Sequence, residues 1–237
     1  MCVDMLQKVP TGCVAIDKVL EGGIPFESVN LIYGDAETGK TTLAMQCAVN
    51  CARQGYKTLF IDCDGTFSAR RLSQIASENF KEIAELIILM KPNNFRDQTV
   101  VIDQLTDYIT KSFGLIVVDT ITSLYRVKVA ESPEKTFELN RELNRQMALL
   151  AQIAKTHKIV FLITSQVRSV FNKEANASIE PVATRVLKFW ADTIIVMKPT
   201  ENSQIIKAIL EKNPKKVQPF TCHLKIEEKG IHEYLTR

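Results

Sequence analysis

The sequence lacks the features of membrane and secreted proteins. None of its apolar runs approaches the roughly 20 residues that a membrane-spanning helix needs. The first ten residues include Asp4 and Lys8 and contain no apolar core of a secretory signal. We therefore expect a cytoplasmic protein with no membrane partner.

Cysteine and histidine are too scattered to indicate a metal centre. The six cysteines occur without a CxxC pair, and only three histidines could assist them. Cys47 and Cys51 are four residues apart on a predicted helix, where we interpret both as small buried hydrophobes. We expect no metal site built from these residue types.

The chain also has little net charge. Its formal net charge is +3, with 46% hydrophobic and 24% charged residues, a composition typical of a globular protein. So small an excess neither demands nor excludes a nucleic acid, because binding depends on a local basic patch. The 237 residues suffice for one sizeable core, and we expect residues 1–237 to form a single domain.

A phosphate-binding loop is the most specific motif present. Residues 34–42 fit the pattern GxxxxGKT and comprise Gly34, Asp35, Ala36, Glu37, Thr38, Gly39, Lys40, Thr41 and Thr42. The apolar residues 29–33 predict a strand before the loop, and the spacing over 41–53 predicts a helix after it. A glycine-rich turn before an ordinary helix is the alternative, but the flanking strand and helix favour the phosphate loop.

The loop predicts a specific chemistry. A glycine at each end lets the backbone turn so that successive N–H groups and the positive helix N-terminus face an anion. Lys40 would reach the β- and γ-phosphates, and the hydroxyl of Thr41 would hold Mg²⁺. The motif therefore predicts a nucleotide with Mg²⁺ as the ligand.

The remaining chain alternates between strand and helix patterns. The predicted strands cover residues 57–62, 86–90, 114–119 and 158–165, and the predicted helices cover 68–79, 95–111 and 132–157. Repeated units of this kind predict an α/β fold, a mainly parallel twisted sheet with helices on both faces. Short strands over 192–197, 204–211 and 220–227 predict a C-terminal antiparallel extension.

Two further segments flank this pattern. Thr11 predicts the cap of a short helix that Gly22-Gly23 ends, with an apolar face of Val14, Ile16, Val19 and Leu20. The polar residues 167–181 predict a long loop at the ligand edge of the sheet, where a partner could order it.

Asp119 ends the apolar strand that precedes it. A carboxylate at the carboxyl end of a buried strand is costly unless a cation compensates it, and nucleotide-bound Mg²⁺ would do so. Strands also end in aspartate at ordinary turns. Beside the phosphate loop, we interpret Asp119 as a ligand that supports the metal.

Several segments together resemble the RecA/RadA recombinase family. They are Thr11-Gly12, Ile16-Asp17, Gly22-Gly23-Ile24, the loop at Gly34, residues 61–67 and residues 115–119. The resemblance spans nearly the whole chain and implies a RecA-like P-loop ATPase core that binds ATP and Mg²⁺. Within the family, the chain is most similar to an archaeal paralogue that consists of the ATPase core alone.

The resemblance also implies roles for individual residues. Lys40 and Thr41 would bind phosphate and Mg²⁺, Asp119 would support the metal, and Gln166 would sense the γ-phosphate. Asp64 stands where recombinases carry the glutamate that orients the attacking water. Because aspartate is one methylene shorter, we expect slow hydrolysis with nucleotide binding retained.

DNA contacts are implied for two segments. The first follows Leu124 and contributes Tyr125, Arg126 and Lys128; the second follows Gln166 and contributes Arg168, Lys173 and Arg185. Ordinary solvated charge explains the same basic residues equally well.

The resemblance implies an accessory protein of DNA repair and homologous recombination. It would bind single-stranded or branched DNA, assist a RadA-type recombinase and possess the capacity to form a homo-oligomer. The chain begins almost directly at the core, so we expect no N-terminal helical DNA-binding domain and no long filaments. The alternative is a KaiC-like signalling ATPase that switches protein partners, but residues 62–67 lack the glutamate pair usual there.

Overall fold

The structure is a computed structural model that describes residues 8–166, 182–214 and 218–234. The α-helices are α1 Val14–Val19, α2 Lys40–Arg53, α3 Ala69–Ala76, α4 Phe80–Glu85, α5 Phe95–Asp103, α6 Leu105–Tyr108, α7 Ser123–Glu131, α8 Thr136–His157 and α9 Val182–Trp190. Short 3-10 helices cover Ser77–Asn79 and Pro133–Lys135. The strands are β1 Lys8–Val9, β2 Ile24–Pro25, β3 Ser28–Gly34, β4 Lys57–Asp62, β5 Ile87–Met90, β6 Phe113–Asp119, β7 Val160–Gln166, β8 Thr193–Pro199, β9 Ile205–Lys212, β10 Phe220–Glu227 and β11 Gly230–Glu233.

Nine of these strands form one sheet. Their order is β11-β10-β9-β8-β3-β7-β6-β4-β5, and β1 pairs separately with β2. Strands β8, β3, β7, β6, β4 and β5 run parallel, whereas β9, β10 and β11 join the edge antiparallel. The predicted α/β fold is confirmed. The strand predicted over 192–197 belongs to the parallel part of the sheet, because it pairs with β3, and the antiparallel extension begins only at β9.

Helices cover both faces of the sheet. All seven residues of β6 are buried, as expected for a β-branched run inside a parallel sheet. On one face, α2 and α3 contribute buried apolar side chains to a core that reaches β11. On the other face, α5, α8 and α9 cover the same strands with a second core. The phosphate loop therefore follows a central strand, β3, between the two cores.

Several local predictions were wrong. Thr11 does not cap α1; instead its N–H, its hydroxyl and the N–H of Gly12 donate to the carboxylate of Asp17 at 2.7–2.9 Å. Val14 is 69% exposed, although it was assigned to the apolar face of the first helix. The predicted helix over 95–111 is divided at Gln104 into α5 and α6. Helices α4, α7 and α9 were not predicted, and the predicted loop over 167–181 lies outside the described residues.

The described helices include none that is both long enough and apolar enough to traverse a bilayer.

Buried Gln46 connects distant parts of the fold to the phosphate-loop helix. Its Nε2 donates to the carbonyl oxygens of Thr11 and Ile231, at 2.9 and 3.0 Å. Its Oε1 accepts from the N–H of Ile231 at 2.7 Å. One side chain on α2 thus satisfies backbone groups of the N-terminal segment and of β11, which pairs with β10 at the sheet edge.

The Gln46→Leu substitution is expected to lower the free energy of unfolding by about 3 kcal/mol or more, because three buried backbone groups lose a partner. Urea denaturation would measure the change. Gln54→Leu, at an exposed position just after the same helix, is the control and should change stability by less than about 0.5 kcal/mol. Equal effects of the two substitutions would contradict the role given to Gln46.

Candidate nucleotide site

The phosphate loop forms one wall of a cleft at the carboxyl ends of the parallel strands. The cleft has a volume of about 400 Å³. Its lining residues are Ala36, Glu37, Gly39, Lys40, Thr41, Thr42, Asp64, Thr66, Asp119, Thr120, Gln166 and Ile226. Residues from the loop, from the segments after β4 and β6, and from β7 and β10 therefore meet at the edge where ligands bind in such sheets.

Two glycines shape the loop. At Gly34 an added Cβ would lie 1.9 Å from the carbonyl oxygen of Met197, so no side chain fits between β3 and β8. Gly39 has φ +83°, the left-handed conformation that glycine adopts at least cost, and α2 begins at the next residue. The first turn of α2 leaves N–H groups without helical partners beside the cleft, which favours an anion there.

Lys40 is buried and turned back onto its own loop. Its Nζ donates to the carbonyl oxygen of Asp35 and lies 3.5 Å from the hydroxyl of Thr38. The Thr38 hydroxyl also donates to the Asp35 carbonyl at 2.9 Å, which closes the loop on itself. Burial lowers the pKa of Lys40, and the nearby Asp119 carboxylate opposes that shift. An ammonium desolvated in this way is well suited to an anionic ligand.

Asp119 is buried between two threonine hydroxyls. The hydroxyl of Thr41 donates to its Oδ2 at 2.8 Å, and the hydroxyl of Thr164 donates to its Oδ1. Burial is the main cause that raises the pKa of the Asp119 carboxyl, and the two hydrogen bonds oppose it. Carboxylate and hydroxyl oxygens are hard donors suited to Mg²⁺, so the pair Thr41 and Asp119 fits that ion.

Asp64 lies at the exposed side of the cleft. Its Oδ2 accepts a hydrogen bond from the hydroxyl of Thr120 at 3.3 Å. The loop that carries it is fixed by buried Asp62, which accepts from the N–H groups of Thr66 and Phe67 at 3.0 and 3.2 Å. Asp62 also lies 3.4 Å from the Nζ of Lys91. The structure thus sets Asp64 on a defined turn at the edge of the cleft.

Gln166 lines the cleft from the end of strand β7. It ends β7, where it pairs in register with Gly34 of β3. The hydroxyl of the preceding Ser165 lies 3.1 Å from that of Thr122, which links β7 to the segment before α7. Gln166 therefore lies next to the start of the phosphate loop.

The residues expected to face DNA differ in their exposure and surroundings. Tyr125 is buried, its hydroxyl donates to Asn140 at 2.5 Å and its ring packs on Phe95, so the expectation that it faces DNA was wrong. Lys128 is 45% exposed and pairs with Glu131 at 3.1 Å. Arg126 lies on α7, and Arg185 is exposed on α9. Arg168 and Lys173 lie outside the described residues.

Sequence reasoning missed four of the described residues at the site, among them Thr66, which lines the cleft. Thr164 and Thr120 hold the carboxylates of Asp119 and Asp64, and Ile226 of β10 lines the cleft. The polar residues just before Gln166, at the end of an apolar strand, were a usable signal for Thr164. Nothing local indicated Ile226, because it reaches the cleft from the antiparallel edge of the sheet.

Known proteins resemble the chain over almost its full length. The family model described as Rad51 matches residues 4–234. The DNA repair and recombination protein RadB of Methanobrevibacter smithii is 32% identical over 227 residues, which cover 94% of this chain and 95% of that protein. RadB of Methanocaldococcus jannaschii is 33% identical over 198 residues, covering 84% and 90%. A solved structure, the crystal structure of the RadB recombinase, has a TM-score of 0.81 at 30% identity and covers 96% of this chain and 100% of that one.

The Asp119→Asn substitution is expected to weaken the binding of MgATP while leaving the stability of the nucleotide-free protein almost unchanged. Without nucleotide, the free energy of unfolding near neutral pH should change by no more than about 1 kcal/mol, because the lost hydrogen bonds are offset by removal of a buried charge. With MgATP at about a hundred times its dissociation constant, wild type should gain about 2.7 kcal/mol and the variant far less.

Because folding raises the pKa of Asp119, the free energy of unfolding is expected to depend on pH. For a carboxyl whose pKa is raised by folding, the stabilising contribution is complete below the unfolded pKa and is lost as pH rises through the folded pKa. Wild type without nucleotide should therefore lose stability relative to Asp119→Asn over that window in urea titrations. The exposed control Asp107→Asn should follow wild type in both experiments. An unchanged MgATP response of Asp119→Asn would rule out Asp119 as a metal ligand.

Proposed function

The chain belongs to the Rad51 family, and on that premise we propose that it binds ATP with Mg²⁺, hydrolyses it slowly and serves as an accessory protein of DNA repair and homologous recombination. The names of its relatives, DNA repair and recombination proteins, support the process. The cleft described above supports the ligand.

One observation carries the proposal. A complete phosphate loop, with Lys40 buried and Thr41 hydrogen-bonded to Asp119, lies opposite a short carboxylate at Asp64. The binding residues lie together around the loop, whereas the residue in the position of the catalytic base is one methylene shorter than glutamate. Binding therefore dominates turnover, and nucleotide state acts as a switch.

Different residues of the chain would bind the phosphates of ATP, hold Mg²⁺ and orient the attacking water. The loop N–H groups and Lys40 would bind the phosphates, and Thr41 and Asp119 would hold Mg²⁺, which when bound neutralises phosphate charge. Asp64 would orient a water molecule by accepting its proton, and Thr120 would hold the Asp64 carboxylate in place. Gln166 would respond to the γ-phosphate beside Gly34.

The remaining functions concern macromolecular partners. We assign the contact with single-stranded or branched DNA to Lys128 and Arg185 on the described helices, together with Arg168 and Lys173. We propose a RadA-type recombinase as the protein partner, together with self-association into a homo-oligomer. Membership of the Rad51 family disfavours the KaiC-like signalling alternative.

The Asp64→Glu substitution is expected to raise steady-state ATPase activity by about 10- to 100-fold, because the longer side chain restores the reach of the base. Phosphate release per enzyme would be measured with saturating MgATP. Asp64→Asn should lower activity and leave nucleotide affinity within about threefold of wild type. If neither substitution changed turnover, Asp64 would not be the base.

DNA binding is expected to weaken with salt. For single strands, log K should fall by about 0.7 per unit of log salt for each phosphate neutralised. Lys128→Ala should reduce that slope by about 0.7, and Lys155→Ala, on the exposed end of α8, is the control. Fluorescence anisotropy with a labelled oligonucleotide would measure both. Absence of binding would contradict the DNA contact and revive the signalling alternative.

A further inference from the structure

Arg126 contacts the nucleotide cleft through Gln166. Its guanidinium, carried on α7, donates to the backbone carbonyl of Gln166 across 40 positions of sequence. Gln166 in turn lines the cleft and lies in register with Gly34. The contact therefore joins α7 to the side of the cleft next to the start of the phosphate loop.

Helix α7 is held in place by contacts with neighbouring elements, so it offers a fixed support for the Arg126 side chain. The Tyr125 ring packs edge to face on Phe95, with centroids 5.8 Å apart, and its hydroxyl bonds Asn140 of α8. At the start of α7, the N–H of Ile121 donates to the carbonyl of Thr164 at 3.2 Å, beside the Thr122 and Ser165 hydroxyl pair. Residues on either side of the Arg126 contact are thus anchored to α8, α5 and β7.

The charge of Arg126 also reaches the phosphate site. Burial is the main cause that lowers the pKa of Lys40; the charge of Arg126 acts in the same direction, and Asp119, Asp35 and Asp64 oppose it. Two cations therefore act on a cleft whose lining includes the carboxylates of Glu37, Asp64 and Asp119. A second cation favours the more highly charged of two nucleotides, which is the triphosphate.

Neighbouring Lys128 has a different orientation. Residues two apart on a helix do not share a face, and Lys128 pairs with Glu131 on its own helix. Both residues are half-buried, but Arg126 donates to the Gln166 carbonyl whereas Lys128 pairs with a carboxylate of its own helix. The two basic residues predicted to act together at DNA thus occupy separate surroundings.

We propose that Arg126 is a positioning residue of the nucleotide site, which fixes the main chain of Gln166 and thereby makes the cleft prefer ATP to ADP. This inference rests on the proposed nucleotide-binding function. It assigns Arg126 to nucleotide discrimination, and leaves contact with DNA to other basic residues.

Equilibrium binding of two nucleotides would test the inference. The probes are fluorescent MgADP and a fluorescent, slowly hydrolysed MgATP analogue, titrated into the full chain. Arg126→Ala should weaken the ATP analogue roughly tenfold, the effect of one charge-assisted hydrogen bond, and weaken ADP by less than about threefold. Arg126→Lys keeps the charge with fewer donors and should recover part of the discrimination. Arg141→Ala, at an exposed position of α8, is the matched control and should leave both affinities unchanged.

A double-mutant cycle distinguishes positioning from general destabilisation. If Arg126 acts through Gln166, then Gln166→Ala and the double variant should show similar ATP discrimination, so that the two effects are not additive. Urea unfolding without nucleotide shows whether each variant is folded. Should Arg126→Ala fail to fold, the cycle would be run with Arg126→Lys.

The remaining outcomes would each overturn the inference, and each would point to a different explanation. Equal weakening of ADP and ATP, or additive effects in the cycle, would show that Arg126 does not act through Gln166. Unchanged discrimination with a DNA salt slope reduced by about 0.7 would make Arg126 a phosphate-backbone contact. If wild type bound neither nucleotide, the proposed function would fail together with this inference.

Discussion

The carboxylate of Asp119 is buried at the end of a strand whose residues are all buried, and the rest of the site is arranged around that constraint. Desolvation opposes its charge, and the hydroxyls of Thr41 and Thr164 only partly compensate. A divalent cation would complete the compensation. Thr41 lies in the first turn of α2, and Thr164 lies on β7 two residues before Gln166. Because both hydroxyls donate to the Asp119 carboxylate, that carboxylate holds the start of α2 close to β7.

The antiparallel edge of the sheet also contributes to the phosphate loop. Ile226 lines the cleft, and an added Cβ at Gly39 would lie 3.0 Å from Ile231. Gln46 bonds the backbone of Ile231 in both directions, so α2 and β11 are held as one unit. The C-terminal strands are therefore part of the support of the nucleotide site, as well as an extension of the sheet.

Under the proposed function, the arrangement of the cleft suits a nucleotide-dependent switch better than rapid turnover. Residues suited to binding are buried or hydrogen-bonded around the loop, while Asp64 is exposed and held by one long contact with Thr120. Gln166 lies between the loop and Arg126, so a change at the phosphates has a direct route to α7. Under the proposed function, such a route would connect the nucleotide to the surfaces that we propose for DNA or a partner.

The phosphate loop, the alternation of strands and helices, and Asp119 at a strand end could be predicted from the residues alone, because each depends on spacing within about ten residues. The same spacing did not show which apolar side chains would be covered, so Val14 was misplaced, and it did not show the division of a helix at Gln104. The contacts of Thr41 with Asp119, Arg126 with Gln166 and Gln46 with Ile231 became visible only in the folded chain. Those pairs are separated by 78, 40 and 185 positions, and a sequence pattern carries no information about which distant residues a fold brings together.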